Sequence, residues 1–304
     1  MWAAIMDALQ YEFVRNALLA GTCIAIVAAV VGYFLIARGL TFAGHALPNI
    51  GFAGAAGAVL IGVSPIYGLF VFTIGAGIFI GLLGKELQER DIAIGVIMTL
   101  ALGLGLMFLS LYSGYAERVY SVLFGTILGI SQTDVLILSV TCLLSSMAIL
   151  IIYRPLLFSS FDPVLAQARG VPVRGLAVVF LVLVAITVSV SIQIVGALLV
   201  FTLLVGPAAT AIRISQRPLW AILIAILLGL CYMWSGILLA VNNGIWPASF
   251  YIASISFAVY IVVRIFSPYW IGRGRNDRQP HNKKADAIII SKQTSVTARA
   301  VRGR

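Results

Sequence analysis

Charged residues are scarce in this chain, and their scarcity excludes the ordinary soluble proteins. Only 10% of the 304 residues are charged, whereas 62% are hydrophobic and the mean hydropathy is +1.09. A soluble globular domain typically has about 25% charged residues and about half apolar residues. The composition therefore predicts a polytopic membrane protein.

Catalytic motifs are also lacking, which argues against an enzyme. The sequence has no serine elbow, no phosphate-binding glycine loop, no redox cysteine pair and no paired carboxylates within an apolar run. Cys23, Cys142 and Cys231 lie within apolar runs without the spacing of metal ligands, and we interpret them as packing residues. We expect a protein that is not an enzyme and holds no permanently bound cofactor.

What the sequence does contain is a series of long apolar runs, which predict an all-α fold with about nine transmembrane helices. A transmembrane β-barrel would instead show alternating segments of about ten residues. Residues 1–266 form the predicted transmembrane domain, and 267–304 form a basic tail that we expect to be disordered near anionic lipid. The predicted spans are Val14–Ala37, Gly44–Gly62, Ile66–Leu83, Ile92–Ser113, Val135–Tyr153, Leu176–Ile194, Val195–Ile212, Leu219–Val241 and Ile245–Phe266.

The basic residues predict how these spans are oriented, because cytoplasmic loops are enriched in Lys and Arg. With the N-terminus outside, every basic residue except Arg15 and Arg118 falls on the cytoplasmic side. This pattern predicts a multi-pass protein of the cell inner membrane with a cytoplasmic C-terminus. The net charge of +10 then reflects membrane topology, and we expect no nucleic-acid partner.

The stretch from Gly44 to Gly57 is apolar enough for a bilayer but contains His45 and Asn49. On a helix these two residues lie four positions apart and share one face. The glycines around them reduce side-chain bulk, which allows other helices to come close. The pattern predicts a thin helix with one polar face, lining either a transport path or a helix interface.

The connection from Arg154 to Gly175 contains a short helix with marked ends, at about 161–170. Asp162 suits the N-cap, Pro163 the first helical position and Gly170 the position just past the end. Ala166 and Ala168 are small residues on this helix that a peripheral partner could contact. A structured loop without a partner is the alternative interpretation.

The segment FDPVLAQARGVPV resembles the coupling helix of the permease subunits of zinc, manganese and iron ABC importers. Four other stretches resemble the same family in the same order, and together they cover the chain to about residue 266. They are Arg38–Gly57, Arg90–Gly95, Leu123–Gly129, and Gly196–Val200 followed by Pro207–Ala211.

This resemblance implies the type II ABC importer permease fold, with no ATP site of its own. It implies two permease copies, identical or paralogous, around one central path. It also implies two partners: an ABC ATPase that uses ATP and docks on the coupling helix, and an extracytoplasmic binding protein. The implied function is import of a divalent metal ion by alternating access. Asp162, Pro163, Ala166, Ala168 and Gly170 match the coupling segment.

The resemblance also implies which residues line the path, and here the chain departs from the family. Where members carry Asp and His, this chain has His45 and Asn49, so the carboxylate is missing and the second ligand is an amide. Neutral His45 still suits Zn²⁺ or Mn²⁺, but we expect looser cation binding. Asp91 matches an acidic position of the family, where it either joins the path or caps its helix.

Two other functions remain open from the sequence. One is a permease of the same architecture that carries a metal chelate or an organic cofactor, which the missing carboxylate favours. The other is an ion-coupled secondary transporter without an ATPase. That function normally requires carboxylates well inside the membrane spans, and the predicted spans show none there.

Overall fold

The computed structural model of the chain describes residues 10–83, 87–112, 125, 129–243 and 246–275, with the backbone alone at 87–89, 243 and 267–275. All regular structure within these ranges is helical. The ten helices are α1 (Glu12–Ala37), α2 (Thr41–Leu60), α3 (Pro65–Leu82), α4 (Leu87–Leu111), α5 (Gln132–Phe161), α6 (Pro163–Ala168), α7 (Val173–Val195), α8 (Ala197–Ile214), α9 (Pro218–Asn243) and α10 (Ala248–Arg275).

Nine of these described helices have 18 residues or more, and eight of the nine, all except α2, are also apolar enough to cross a bilayer by composition. The predicted all-α membrane fold is confirmed, with eight candidate spans among the described residues where about nine are predicted. Helix α2 has 20 residues, or about 30 Å at a rise of about 1.5 Å per residue. Its glycines, Pro48 and the polar residues Thr41, His45 and Asn49 lower its hydropathy. Because most of α2 is buried by other helices, it does not need an apolar surface toward lipid.

Several helix boundaries differ from the predicted spans, and two of the differences have a clear structural cause. Helix α5 does not end at Tyr153 but continues through Pro155 to Phe161. Proline removes one helix hydrogen bond, but Leu156 and Ser159 beyond it are buried, so packing holds this last part of the helix. The sixth and seventh spans meet at Gly196, whose φ of +86° ends α7 before α8 begins.

The chain divides into two compact units, Met1–Tyr260 and Ile261–Arg304. The second unit is described only at 261–275, where it forms the end of α10. This helix extends beyond residue 266, the predicted end of the transmembrane domain. The predicted disordered tail from residue 276 onward lies outside the described residues.

The core of the first unit is built on α1 and α7. In α1, 67% of the most apolar segment is buried, compared with 17% in α4, so α1 is an interior helix and α4 mainly faces outward. Phe34 of α1 lies in the core, with ring-centre distances of 5.8 Å to Tyr153 and 6.2 Å to Phe180. These edge contacts join α1, α5 and α7.

The first unit has two ends that are fixed by polar contacts. At one of them, here called the arginine end, Arg38 binds Ser159 and Arg90 binds the carbonyl oxygen of Gly39. The arginine end also includes α6. At the opposite end, Ser131 and Asp134 form a capping box that begins α5.

Candidate transport site

Helix α2 is able to lie in the core because small residues let its neighbours approach. A Cβ atom on Gly54 would overlap with the carbonyl oxygen of Gly68 in α3, so the two backbones touch at this crossing. Such close contacts between small residues stabilise helix pairs in membranes, where the hydrophobic effect gives little help. As a result α2 buries 14 of its 20 residues.

His45 is the one exposed side chain in α2, a helix in which the structure describes every residue. Its imidazole ring meets the ring of Phe201 from α8 at 5.0 Å between centres, with the planes at 71°. This edge contact orients the imidazole, which occupies the one exposed position of a helix that is otherwise enclosed.

Asn49 lies one turn beyond His45 and is half-buried. Its Nδ2 donates to the backbone carbonyl oxygen of His45 at 2.9 Å and contacts Sδ of Met98 in α4 at 3.8 Å. Both contacts use the amide nitrogen, so the Oδ1 atom keeps its acceptor capacity. His45 and Asn49, four positions apart, thus place an imidazole and an amide oxygen on one face of α2.

Asp91 does not complete a metal centre with this pair. It is the fifth residue of α4 as described, so it lies past the first turn and is not placed to be the N-cap. It precedes Met98 by seven residues, which corresponds to about 10 Å along the helix toward the arginine end. Within the described residues, no group of three or more His, Cys, Asp and Glu side chains is arranged to hold a metal ion.

Helix α6 has the ends that the sequence predicts. Oδ1 of Asp162 accepts a hydrogen bond from the amide of Leu165 at 2.9 Å, and Pro163 is the first helical residue. Past the end, Gly170 has a φ of +81° and the amide of Val171 donates to the Ala166 carbonyl oxygen at 3.0 Å. These contacts form a Schellman motif.

The two alanines of α6 differ sharply in exposure. Ala166 is fully buried, whereas Ala168 and the other four helix residues are exposed. Large apolar side chains are prominent in the exposed part: Val164 and Leu165 are 77% and 44% exposed, and Phe161, the last residue of α5, is 68% exposed. The surface of α6 open to a partner is therefore apolar and does not include Ala166.

A cavity of about 660 Å³ lies at the end of the unit opposite the arginine end. The end of α2 at Val59 contributes to its wall, together with Asp134, Thr141 and Gln193. Helix α2 therefore runs from the arginine end, past His45 and Asn49, to the wall of this cavity.

Sequence reasoning missed the contacts that hold the polar face in place. Met98 and Phe201 come from α4 and α8, and neither stands out as polar or as part of a motif. The sequence offers one signal for Met98: it lies two turns after Asp91, so both residues are on the same side of α4. No comparable pattern marks Phe201 as the neighbour of His45.

Comparison with known proteins supplies the family of this chain. The model of the ABC 3 transport family matches residues 10–267. The chain belongs to this family. The match includes α2 with His45 and Asn49, the α6 segment and Asp91, so every predicted site residue lies within the family domain.

Relatives of this ABC 3 family chain include membrane proteins of manganese transport systems. The manganese transport system membrane protein MntC of Halalkalibacterium halodurans is 29% identical over 273 residues, covering 87% of this chain and 93% of the relative. The manganese import system permease protein ScaB of Streptococcus parasanguinis is 33% identical over 219 residues, covering 71% and 76%.

Two solved structures share the helical fold of this chain. PsaBC from Streptococcus pneumoniae in complex with Fab superposes with a TM-score of 0.77 at 28% identity, covering 86% of this ABC 3 family chain and 95% of that chain. A metal-chelate type ABC transporter in an inward-facing conformation gives a TM-score of 0.67 at 20% identity, which shows the fold alone. The predicted family and permease fold are confirmed.

Proposed function

We propose that this chain is the permease subunit of an ABC importer for a divalent metal ion. The observation that carries the proposal is the exposed His45 on the otherwise enclosed helix α2, within a chain of the ABC 3 family. An imidazole at membrane depth is costly next to lipid and marks an ion pathway by default. Import by alternating access, powered by a separate ATPase that uses ATP, follows from the family resemblance.

The cargo we propose is Mn²⁺, Zn²⁺ or Fe²⁺. Manganese is favoured because relatives across most of the chain are named for manganese transport. Neutral imidazole and amide oxygen both bind Mn²⁺, although less tightly than a carboxylate does. Asp91 lies farther along the path, where it would meet the ion after His45. Weak contacts of this kind suit an ion that has to be released quickly.

The exposed face of His45 is the basis for proposing a second permease copy. Leu198 on α8 is 63% exposed and is three residues from Phe201, on the same side of its helix as the ring that contacts His45. If a second copy covers this face, two histidines and two asparagines enclose one axis. A homodimer would then build the path from two identical half-sites.

Helix α6 is the proposed docking site of the ATPase. Its exposed side chains Val164 and Leu165 are apolar, as is exposed Phe161 at the end of α5, and a solvent-exposed apolar patch beside a membrane domain is typical of a protein interface. Asp162, Pro163 and Gly170 fix the two ends of the helix, so its surface is presented rigidly. Ala166 anchors α6 to the membrane domain, and Ala168 belongs to the exposed side.

The arginine end would then face the cytoplasm, with the N-terminus outside and the C-terminus inside. The opposite end, with its cavity of about 660 Å³, would face the extracytoplasmic binding protein. In this arrangement the chain itself is not an enzyme, because ATP is hydrolysed by the partner subunit.

The test is ion uptake by the chain reconstituted with its ATPase and binding protein in proteoliposomes. We expect ATP-dependent uptake of radioactive Mn²⁺, and a loss of at least about tenfold in the variant His45→Ala. The only other histidine, His281, provides the matched control His281→Ala. Uptake of none of the three metal ions by the wild type would contradict the proposal, and unchanged uptake by His45→Ala would remove His45 from the path.

A further inference from the structure

The turn between α1 and α2 is fixed by a side chain that reaches a distant part of the sequence. The turn comprises Arg38, Gly39 and Leu40 and leads directly into α2. Nη1 of Arg38 donates to Oγ of Ser159 at 2.8 Å, and Ser159 is only 4% exposed. A hydrogen bond from a charged donor to a buried hydroxyl is stronger than one between neutral groups, so it holds the arginine in one position.

The contacts of Arg38 lie on both sides of α6. Ser159 is at the end of α5, three residues before Asp162, the N-cap of α6. The guanidinium carbon of Arg38 also lies 5.8 Å from the ring centre of Phe180 in α7, the helix that follows α6. A single side chain therefore touches the element before α6 and the element after it, and is three residues from the first residue of α2.

The surroundings of Arg38 make these contacts difficult to exchange for water. Burial lowers the pKa of the Arg38 guanidinium from its ordinary value, and the positive charge of Arg90 lowers this pKa further. A charged group removed from water depends on its protein partners. Movement of Ser159 or Phe180 is therefore expected to carry the arginine, and with it the turn, in the same direction.

The same turn is also hydrogen-bonded to α4, where two buried polar atoms have no hydrogen-bond partner among the described residues. Nη2 of Arg90 donates to the carbonyl oxygen of Gly39 at 3.2 Å. Nε of Arg90 and Oδ1 of Asp91 are buried and form no hydrogen bond with any described residue. A buried polar atom without a hydrogen bond destabilises the conformation that contains it. A second conformation of the helices in which these two atoms find partners would therefore be favoured.

We propose that Arg38 is a positioning residue that transmits movement of α6 to the helix carrying His45. This inference rests on the proposed function, because it requires an ATPase that moves α6. The guanidinium suits the role because it donates a hydrogen bond and lies against an aromatic ring at the same time. Lysine has a point charge on a flexible stem and is a poor substitute for both contacts.

The experiment measures ATP hydrolysed per Mn²⁺ ion transported by the reconstituted complex. In Arg38→Gln we expect uptake to fall about tenfold while ATP hydrolysis is kept, so the ratio rises by about the same factor. Arg38→Lys should give an intermediate ratio. Ser159→Ala removes the acceptor but keeps the arginine, and a rise of about threefold is expected.

A matched control is Arg217→Gln, because Arg217 is an exposed arginine in the loop between α8 and α9. Its ratio should equal that of the wild type. If Arg38→Gln does not assemble, Ser159→Ala and Arg38→Lys decide the question by the same ratio.

Two outcomes would overturn the inference. One is a wild-type ratio in the assembled Arg38 and Ser159 variants. The other is a parallel fall of uptake and ATP hydrolysis together with a lower melting temperature, which a purely structural arginine would produce. Both outcomes leave wild-type uptake intact, so they are distinguishable from failure of the proposed function, in which the wild type itself transports no metal.

Discussion

Helices α2 and α6 have opposite patterns of burial. Helix α2 is enclosed except for the polar side chain of His45, whereas α6 is exposed except for the apolar side chain of Ala166. In α2, packing fixes nearly every position and leaves one position free for chemistry. In α6, one position fixes the helix and the others are free to contact a partner. Loss of stability and loss of activity are therefore expected at different positions in the two helices.

The largest expected effect comes from Gly54→Ala, which tests whether α2 must be enclosed. A Cβ atom at this position overlaps with the Gly68 carbonyl oxygen, so the two helices must separate. We expect a loss of at least about 3 kcal/mol in the free energy of unfolding. The measurement is thermal unfolding of the purified protein in detergent.

The matched control for Gly54→Ala is Gly75→Ala in α3. A Cβ atom at Gly75 would have no neighbour within 4 Å, and alanine is a better helix former than glycine. A stability equal to the wild type or slightly higher is expected. Equal melting temperatures for Gly54→Ala and the wild type would show that the α2–α3 crossing is looser than described.

The next largest effect comes from comparing a buried residue of α2, Leu47, with its exposed residue, His45. Leu47 is fully buried, and Leu47→Ala should lower the free energy of unfolding by about 2–5 kcal/mol through the cavity it creates. His45→Ala should leave the melting temperature within about 2 °C of the wild type, because an exposed position contributes about 0.5 kcal/mol or less. If His45→Ala unfolds as readily as Leu47→Ala, His45 is a packing residue and the contrast between the two positions is lost.

The corresponding pair in α6 tests the opposite pattern. Ala166→Leu adds volume at a fully buried position and should cost about 1–3 kcal/mol of stability. Val164→Asp changes a side chain that is 77% exposed, so stability should be unchanged while co-purification of the ATPase is lost. Normal recovery of the ATPase with Val164→Asp would contradict docking at this surface.

The smallest expected effect concerns the N-cap of α6. Asp162→Ala removes the hydrogen bond to the Leu165 amide and should cost about 1 kcal/mol. Asp162→Asn keeps a capping oxygen and should restore most of this stability. Thermal unfolding of the two variants provides the comparison, and equal losses in both would mean that charge rather than capping is important here.

Local signals in the sequence were sufficient to predict the ends of α6 and the polar face of α2. Caps depend on residues within four positions of each other, as Asp162 and Gly170 show, and a helical face depends on a spacing of three or four. Local hydropathy also marks every long helix except α2. Contacts between distant helices do not have such signals, so the partners of Asn49 and His45 were not predictable.

The same reasoning explains the residues whose surroundings differ from expectation. Asp91 looked equally suited to capping and to lining a path, because the start of α4 is not marked by a distinct N-cap residue in the sequence. The sequence shows only the positive charge of Arg38, and this charge predicts a position on the cytoplasmic side of the membrane. Its contact with Ser159 spans 121 positions and depends on how α1 and α5 pack.

The hydrogen bond from Asn49 to the His45 carbonyl oxygen has a consequence for the speed of the proposed ion transfer. An asparagine side chain normally samples several rotamers, and a ligand that binds it must restrict this freedom. In α2 the amide nitrogen is already engaged with His45 and Met98, so folding itself has removed that freedom. On the proposed path, an arriving ion would meet an oriented oxygen with little further loss of entropy, and it would leave without waiting for the side chain to reorder.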